Sequence, residues 1–476
     1  LNEDPVNADG AYVVYWMIAA RRTHFNFGLQ RALEHAKDLN RPLLVLEALR
    51  CGYRWASDRH HQFLIDGMAD NARRLDRKGV HYYPYVEPTP DAGKGLLAAL
   101  AEQACVIVTD QYPAFFLPRM LQSAAGQVSV RFEAIDSNGL LPLPATEKDY
   151  PTAYAFRRHV QKILPDHLSD TPRDDPLKGL RLPEFDMSLK PIEKRWPVWE
   201  CDDDRSASSL QSMPIDHHVG IAPVTGGEKA ARDRLSRFIE NGLSQYGDLR
   251  NSVEHDVTSR LSPYLHFGHI SPHEVFAAVM DHQNWSTSHV FPKASGSRSG
   301  WWGVSEAAEG FLDQLITWRE LGFNMCVHRR DYDRYESLPD WAQATLREHR
   351  KDKRSYLYSL EEFETAATHD ELWNAAQRQL VREGQMHNYL RMVWGKKILE
   401  WTRSPEDALD VMVELNNKYA LDGRDPNSYS GIFWCLGRYD RPWGPERPIF
   451  GKIRYMSSAN TARKMNVTEY LERYSE

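Results

Sequence analysis

No two cysteines in this chain lie close together in sequence. Cys51, Cys105, Cys201, Cys326 and Cys435 are the full set of five. Without a C-x-x-C pair there is no signature of a structural zinc, an iron–sulfur cluster or a disulfide framework. No metal is expected, and the expected compartment is a reducing one: the cytoplasm, or the nucleus in a eukaryote. No apolar run approaches the ~18 residues a membrane helix needs, so no membrane is expected as a partner. The apolar stretch from Tyr12 to Ala20 is short, follows acidic residues and has no basic lead-in, so it reads as a strand and not a signal peptide. No G-x-G-x-x-G follows it, which argues against a dinucleotide in the usual pyrophosphate seat. Internal repeats and low-complexity tracts are absent. The net charge is −7, so composition alone does not announce a nucleic-acid binder.

What is present suggests a globular protein of two or three domains: 476 residues, 42% hydrophobic and 26% charged. Residues 1–164 alternate strand and helix, which predicts a Rossmann-like parallel α/β domain. The expected strands are Tyr12–Met17, Leu43–Leu49, Val80–Val86, Cys105–Asp110 and Val128–Ile135, with Pro84 placing the third at an edge. Residues 165–227, rich in Pro and Asp, read as a linker running over the surface between domains. Residues 228–476 read as an all-helical domain. Two stretches in it are exceptions: Asn284–Gly303, expected to be a mobile loop, and Asp422–Tyr455, expected to be a loop rich in Gly, Pro, Arg and aromatics. From Arg438 to Lys464 there are seven Lys or Arg against two Asp or Glu, a patch that can steer the chain to phosphates or simply be solvated.

Fourteen tryptophans are many for this length. Two of them lie in Glu383–Thr402, EGQMHNYLRMVWGKKILEWT, which reads as one helix. Leu390, Val393, Trp394, Ile398 and Trp401 form its apolar stripe. Arg391 precedes Trp394 by one turn. On its own the stripe reads first as core, where each buried Trp contributes roughly 4–6 kcal/mol as an upper estimate, and only second as a path for electrons. Further upstream, Thr258–Gly268 (TSRLSPYLHFG) gathers hydroxyls just before a helix, which suits either plain capping or a phosphate.

These segments resemble the photolyase/cryptochrome family, and most closely its class II cyclobutane pyrimidine dimer photolyases. The matching residues are Y-x-x-x-R-N at 246–251, TSRLSPYLHFG, FLDQLITWREL at 311–321, LWNAAQ at 372–377, the 383–402 segment, LNNKYALDGRDPNSYSGIFW at 415–434 and DRPWGPERPIFGKIRYMS at 440–457. They span nearly the whole helical region. The resemblance implies one non-covalent FAD in the helical domain, active in its reduced form. Tyr246, Thr258, Ser259, Leu261 and Ser262 would line its phosphate side, Asn416 would sit beside flavin N5, and Arg391 and Asp422 would pair over the ring. Trp394, Trp373 and Trp401 would supply electrons, with Trp394 innermost. Trp318 and Trp434 would wall a pocket for a dimer flipped out of double-stranded DNA, with Met392 near it. Arg441, Arg447, Lys452 and Arg454 would meet phosphates or fill the gap in the duplex. A monomer is expected.

Two departures stand out. Gln314 occupies a place where many class II members have an acidic residue facing the lesion. An amide can hydrogen-bond but cannot share a proton. The segment after Trp434, CLGRYDRPWG, is one residue shorter than in relatives. The implied activity is light-driven splitting of the dimer, by a deoxyribodipyrimidine photo-lyase. The rivals are a cryptochrome-like photoreceptor, a (6–4) photolyase and a flavin-binding relic. The tail after GKIRYMS is short for a receptor, and the His387–Tyr389 segment is a poor match to (6–4) histidines. A second, antenna chromophore, deazaflavin or folate, has no deciding motif. Trp16, Tyr53, Trp55 and Tyr112 could line its pocket or simply pack.

Overall fold

The computed structural model describes residues 1–201 and 210–475. Residues 202–209 of the expected linker lie outside the described residues. The chain forms two compact units. The first comprises Leu1–Leu143, His167–Ser236 and Arg260–Val279; the second comprises Pro144–Asp166, Arg237–Ser259 and the chain from Met280 onward. The chain therefore passes between units more often than boundaries at 164 and 227 suggest.

The first unit is built on a five-stranded parallel sheet of order β3-β2-β1-β4-β5. The strands are β1 (Tyr12–Met17), β2 (Leu43–Leu49), β3 (Val80–Val86), β4 (Ala104–Gln111) and β5 (Phe132–Asp136). β1 is buried at every position, as befits a central strand covered on both faces. Pro84 has no N–H to give and sits on the edge strand β3, while its carbonyl accepts from the Trp199 amide at 2.8 Å. The order reverses between β1 and β4. There the Asp110 carboxylate accepts from the amides of Ile18, Ala19 and Ala20 at 2.8, 2.8 and 2.9 Å and from the Tyr15 hydroxyl at 2.7 Å. One side chain thus ties the turn after β1 to the end of β4.

Segments expected to lie outside the sheet domain complete this unit. Part of the connector packs on the sheet: Leu177, Leu189 and Trp196 are buried against the sheet core. Gly268 has φ +73, and a Cβ there would stand 1.7 Å from the Ala19 carbonyl oxygen. Only glycine permits that approach.

Glu228 is buried beside His24 and accepts from the Thr23 amide at 2.9 Å. Burial alone would raise its pKa. The hydrogen bond and charge of His24, the charge of Arg232 and the Thr23 N–H together outweigh burial and hold it near 2. A carboxylate with a depressed folded pKa adds stability above its unfolded value and loses it as pH falls through the folded one. For Glu228 the window runs from 4.5 down to about 2. At about 1.36 kcal/mol per pKa unit this is on the order of 3 kcal/mol. Glu228→Gln should therefore flatten the acid limb of the stability curve in that window, read as the pH dependence of the urea midpoint.

The second unit is helical. Ala153–Ile163, not foreseen from sequence, packs against the turn at Asp313–Trp318. A continuous helical run contains one π-helical turn: Glu306–Leu312, then Asp313–Trp318, then Arg319–His328. The long 383–402 helix is shorter than expected. Glu371–Glu383 ends at Gly384, whose φ of +68 stops it, and a new helix runs Asn388–Trp401. Pro405–Tyr419 forms the next helix, with Ser404 as its cap and Pro405 at its first position. Within the stretch expected to be a loop, Pro426–Trp434 is helical. Asp425 caps it by accepting from the Asn427 amide at 2.8 Å, and Pro426 fits its first position. The 284–303 stretch stays irregular apart from a short turn at Thr287–His289, but Trp301 and Trp302 at its end are buried. No helix among the described residues is long and apolar enough to cross a membrane.

Candidate functional site

The helix Asn388–Trp401 has almost no solvent face. Its apolar stripe is buried throughout, and Lys396 and Lys397 are buried as well. The Trp394 indole N–H donates to Gln377 Oε1 at 2.9 Å. Trp373, on the preceding helix, stacks on Trp394 with ring centres 6.4 Å apart and planes 4° from parallel. Its own N–H donates to the Trp394 carbonyl at 3.1 Å. Trp401 meets Trp373 edge-on at 6.0 Å. The order is therefore Trp394, Trp373, Trp401, with Trp373 between the two indoles of the 388–401 helix. Beyond Trp401 lie Tyr358 at 5.7 Å and His369 at 5.0 Å, and Tyr356, 47% exposed, stacks on His369 at 3.6 Å. A continuous file of rings runs from the interior to the surface.

Polar groups gather near the start of the same helix. Arg391 donates to both oxygens of Asp422, at 3.1 and 3.4 Å, in a forked pair with each side chain mostly buried. Asn416, on Pro405–Tyr419, is 2% exposed. Its amide nitrogen donates to Ser428 Oγ at 2.8 Å and Asn417 Oδ1 at 3.3 Å, while nothing among the described residues donates to its side-chain oxygen, Oδ1. That oxygen is not one of the fully buried unpartnered atoms, so it is open to a further group. These features fit a bound flavin.

Gln314 and Trp318 both lie in the π-helical turn, and both are half-buried. π-turns widen a helix locally and recur at functional sites. The neighbouring Asp313 is not available to replace a missing acid. Arg157 grips it with two hydrogen bonds of 2.6 and 3.0 Å, in a pair where each side chain is 8% exposed. The helix Arg319–His328 packs on Pro426–Trp434 so closely that a Cβ on Gly322 would come within 2.7 Å of the Pro426 backbone.

Trp434 ends its helix half-buried, with the Lys396 ammonium 4.7 Å and the Arg454 guanidinium 5.5 Å from its ring centre. Met392 is half-buried one residue after Arg391. Of the four expected phosphate-contacting cations, two already have carboxylate partners: Arg454 with Asp440 at 2.9 Å and Lys452 with Glu446 at 3.1 Å. Arg441 and Arg447 are exposed and lie over the rings of Trp443 and Tyr455.

Tyr246 is buried between Phe238 and Phe311, with Arg250 over its ring. Burial pushes its hydroxyl pKa up. Thr258 and Ser259 are partly buried and close one segment of the second unit, whereas Leu261, buried, and Ser262, exposed, belong to the first. Sequence reasoning missed Gln377, Lys396, Arg157 and Trp443. Gln377 and Trp443 lie inside LWNAAQ and DRPWG, motifs whose other residues drew the attention.

No family model matches the chain. It is 35% identical over 480 residues to the deoxyribodipyrimidine photo-lyase of Methanothermobacter thermautotrophicus, covering 99% of this chain and 96% of that protein. The belonging is decided by this end-to-end likeness. The chain is a member of the photolyase/cryptochrome family. It is also 33% identical to the photo-lyases of Potorous tridactylus, over 97% of this chain and 81% of that one, and of Arabidopsis thaliana, over 98% and 89%. In fold it resembles a class III photolyase from Agrobacterium tumefaciens, with TM-score 0.70 and 16% identity over 98% of this chain and 86% of the other. A Synechocystis cryptochrome gives TM-score 0.70 and 15% identity, over 100% and 89%.

The Arg157–Asp313 pair holds the π-turn of this photolyase relative to the Ala153–Ile163 helix. Removing one partner of a buried pair leaves an uncompensated charge and costs about 3–5 kcal/mol. Arg157→Ala should lower the unfolding free energy by that amount, read from urea denaturation. Replacing both residues with Met and Leu should cost less than the sum of the single changes.

Proposed function

We propose that this photolyase-family protein splits cyclobutane pyrimidine dimers in duplex DNA with the energy of light. One observation carries the reading: a chain that aligns end to end with named deoxyribodipyrimidine photo-lyases keeps a continuous file of buried indoles leading to the helix that bears Arg391.

The unused acceptor of Asn416 and the Arg391–Asp422 pair are assigned to hold FAD, with Tyr246, Thr258 and Ser259 on its phosphate side. When bound and reduced, FAD supplies, on absorbing blue or near-UV light, the electron that cleaves a dimer. The remaining chemistry belongs to the chain. Asn416 offers N5 of the flavin ring an amide able to donate or accept. Arg391, fixed by Asp422, places a positive charge where negative charge gathers. Trp401, Trp373 and Trp394 pass electrons inward. Gln377 and the Trp394 carbonyl, which receive the two inner indole N–H groups, are too weakly basic to take those protons. Trp318 and Trp434 offer flat walls to a flipped-out dimer, and Arg441 and Arg447 offer charges to the backbone.

The direct experiment illuminates the reduced protein with dimer-containing duplex and counts restored pyrimidines. Repair is expected; flavin binding without repair would favour a receptor or a relic. Trp394→Phe should abolish photoreduction of the bound flavin, followed by absorbance, yet spare repair by chemically reduced protein. Normal photoreduction in that variant would sink the electron path. Because Asp313 is committed to Arg157, Gln314 stands without an acid beside it, and Gln314→Glu should raise the number of dimers split per absorbed photon several-fold. An unchanged yield would show that no acid is wanted at this position.

A further inference from the structure

The helix Asn388–Trp401 carries a second functional face opposite its indoles. Lys396 follows Trp394 by two residues, about 200° around the helix axis. It is 0% exposed, and among the described residues it forms no ion pair. Its ammonium donates to the Cys435 carbonyl at 2.7 Å and lies 4.7 Å from the centre of the Trp434 ring. Burying an ammonium without a counter-ion is costly, and an apolar side chain of similar length would satisfy packing without that cost. Packing here is tight: a Cβ on Gly395 would stand 2.4 Å from Cys435 Sγ. A cation kept in such a place, against the ring of one particular tryptophan, calls for a reason other than filling space.

We propose that Lys396 is a positioning residue for substrate: its cation holds the Trp434 indole in place as a pocket wall for a pyrimidine dimer and draws electron density from that ring. The proposal rests on the reading of Trp434 as a lesion wall. It goes beyond that reading by naming the group behind the wall and the condition under which it acts. A cation against an aromatic face is attracted by the ring's negative face, most strongly when desolvated. The same charge makes the indole harder to oxidise, which keeps Trp434 out of the electron supply assigned to Trp394, Trp373 and Trp401.

The surroundings make this device sensitive to pH. Burial pulls the Lys396 pKa down to about 8; Cys435 and Asp440 oppose the fall and Arg454 adds to it. The Cys435 thiol, also facing Arg391, is pushed by burial up to about 11 and stays neutral. Asp440, whose pKa is lowered despite its burial by bonds from Arg454 and Trp443, stays charged. The neighbouring Lys397 is paired with Glu400 at 2.7 Å. As pH rises through about 8, Lys396 loses its proton and the wall its charge.

The test uses the full chain with its flavin in the dark, at fixed salt. Dissociation constants are measured for a dimer-containing duplex and for the same duplex undamaged, from about pH 6.5 to about pH 9.5. The ratio of the two affinities should fall several-fold with a midpoint near pH 8, while binding of undamaged DNA does not share that midpoint. Trp434 emission, taken as the difference between the unaltered chain and Trp434→Phe, should change over the same range without DNA. Lys396→Met, with flavin content as the check on folding, should give the low ratio at every pH. A ratio flat through that range, or a methionine variant that keeps both the ratio and its pH dependence, overturns the proposal. If the methionine variant does not fold, the titration of the unaltered chain decides. If the unaltered chain never distinguishes dimer from undamaged duplex, the repair reading fails and this proposal with it. A Trp434 emission change in that case would show that the contact titrates for another purpose.

Discussion

A helix with almost no solvent face must find partners for its buried polar side chains inside the protein. The helix Asn388–Trp401 obeys that constraint residue by residue. Arg391 reaches Asp422, Trp394 reaches Gln377, Lys396 reaches the Cys435 carbonyl and Lys397 reaches Glu400. Three of those partners lie on other elements, so satisfying the helix fixes the elements around it. An unmet buried polar group costs about 1–3 kcal/mol, and more when charged. Disorder among the neighbours is therefore penalised several times over. The same bonds that make the helix buriable set its chemistry, because they determine which groups remain available to a bound molecule.

The first unit solves a smaller version of the problem. A buried carboxylate at the end of β4 gathers three amides and a hydroxyl, and Arg22, also buried, donates to the carbonyls of Phe25 and Gly268. Both groups close the turn that follows β1, the point where strand order reverses. In open α/β sheets that point is where ligands most often sit. Here it is occupied by the chain's own side chains and by the close approach of Gly268 to Ala19, which is the physical counterpart of the missing glycine-rich phosphate motif.

Local signals made much of this legible. All five strands stand close to where their apolar runs put them, and the edge position of β3 could be read from Pro84 because a missing N–H has one acceptable location. What escaped was either local chemistry read with the wrong sign or purely tertiary placement. Pro426, Asn427 and Ser428 look like loop, yet a proline just after an aspartate cap is how this helix begins. Gly384 passed for a residue inside a helix, although its backbone conformation ends one. The central position of Trp373 cannot be read from spacing, since it depends on how two helices dock. Lys396 was invisible for a related reason: a lysine two residues from a buried tryptophan belongs by pattern to the wet face, and at that position this helix is buried.

Gln314 shows what the tertiary placement changes. From sequence, an amide beside Asp313 leaves open that the adjacent carboxylate serves in place of the acid found in many relatives. Arg157 closes that route, because a carboxylate held through both oxygens by two guanidinium hydrogen bonds has no freedom to turn toward a ligand. In the proposed reading, negative charge arriving on a dimer must then be met by fixed positive charge instead of a shared proton. The cations near the wall are Lys396 and Arg454, both near the Trp434 ring and both anchored, one by a carbonyl and one by Asp440. Anchored charge has an advantage over a mobile proton donor: it is already oriented when the charge appears and costs no reorganisation at that moment. A site that has an amide at position 314 and a buried lysine behind its wall is thus consistent with electrostatic stabilisation taking the place of proton transfer.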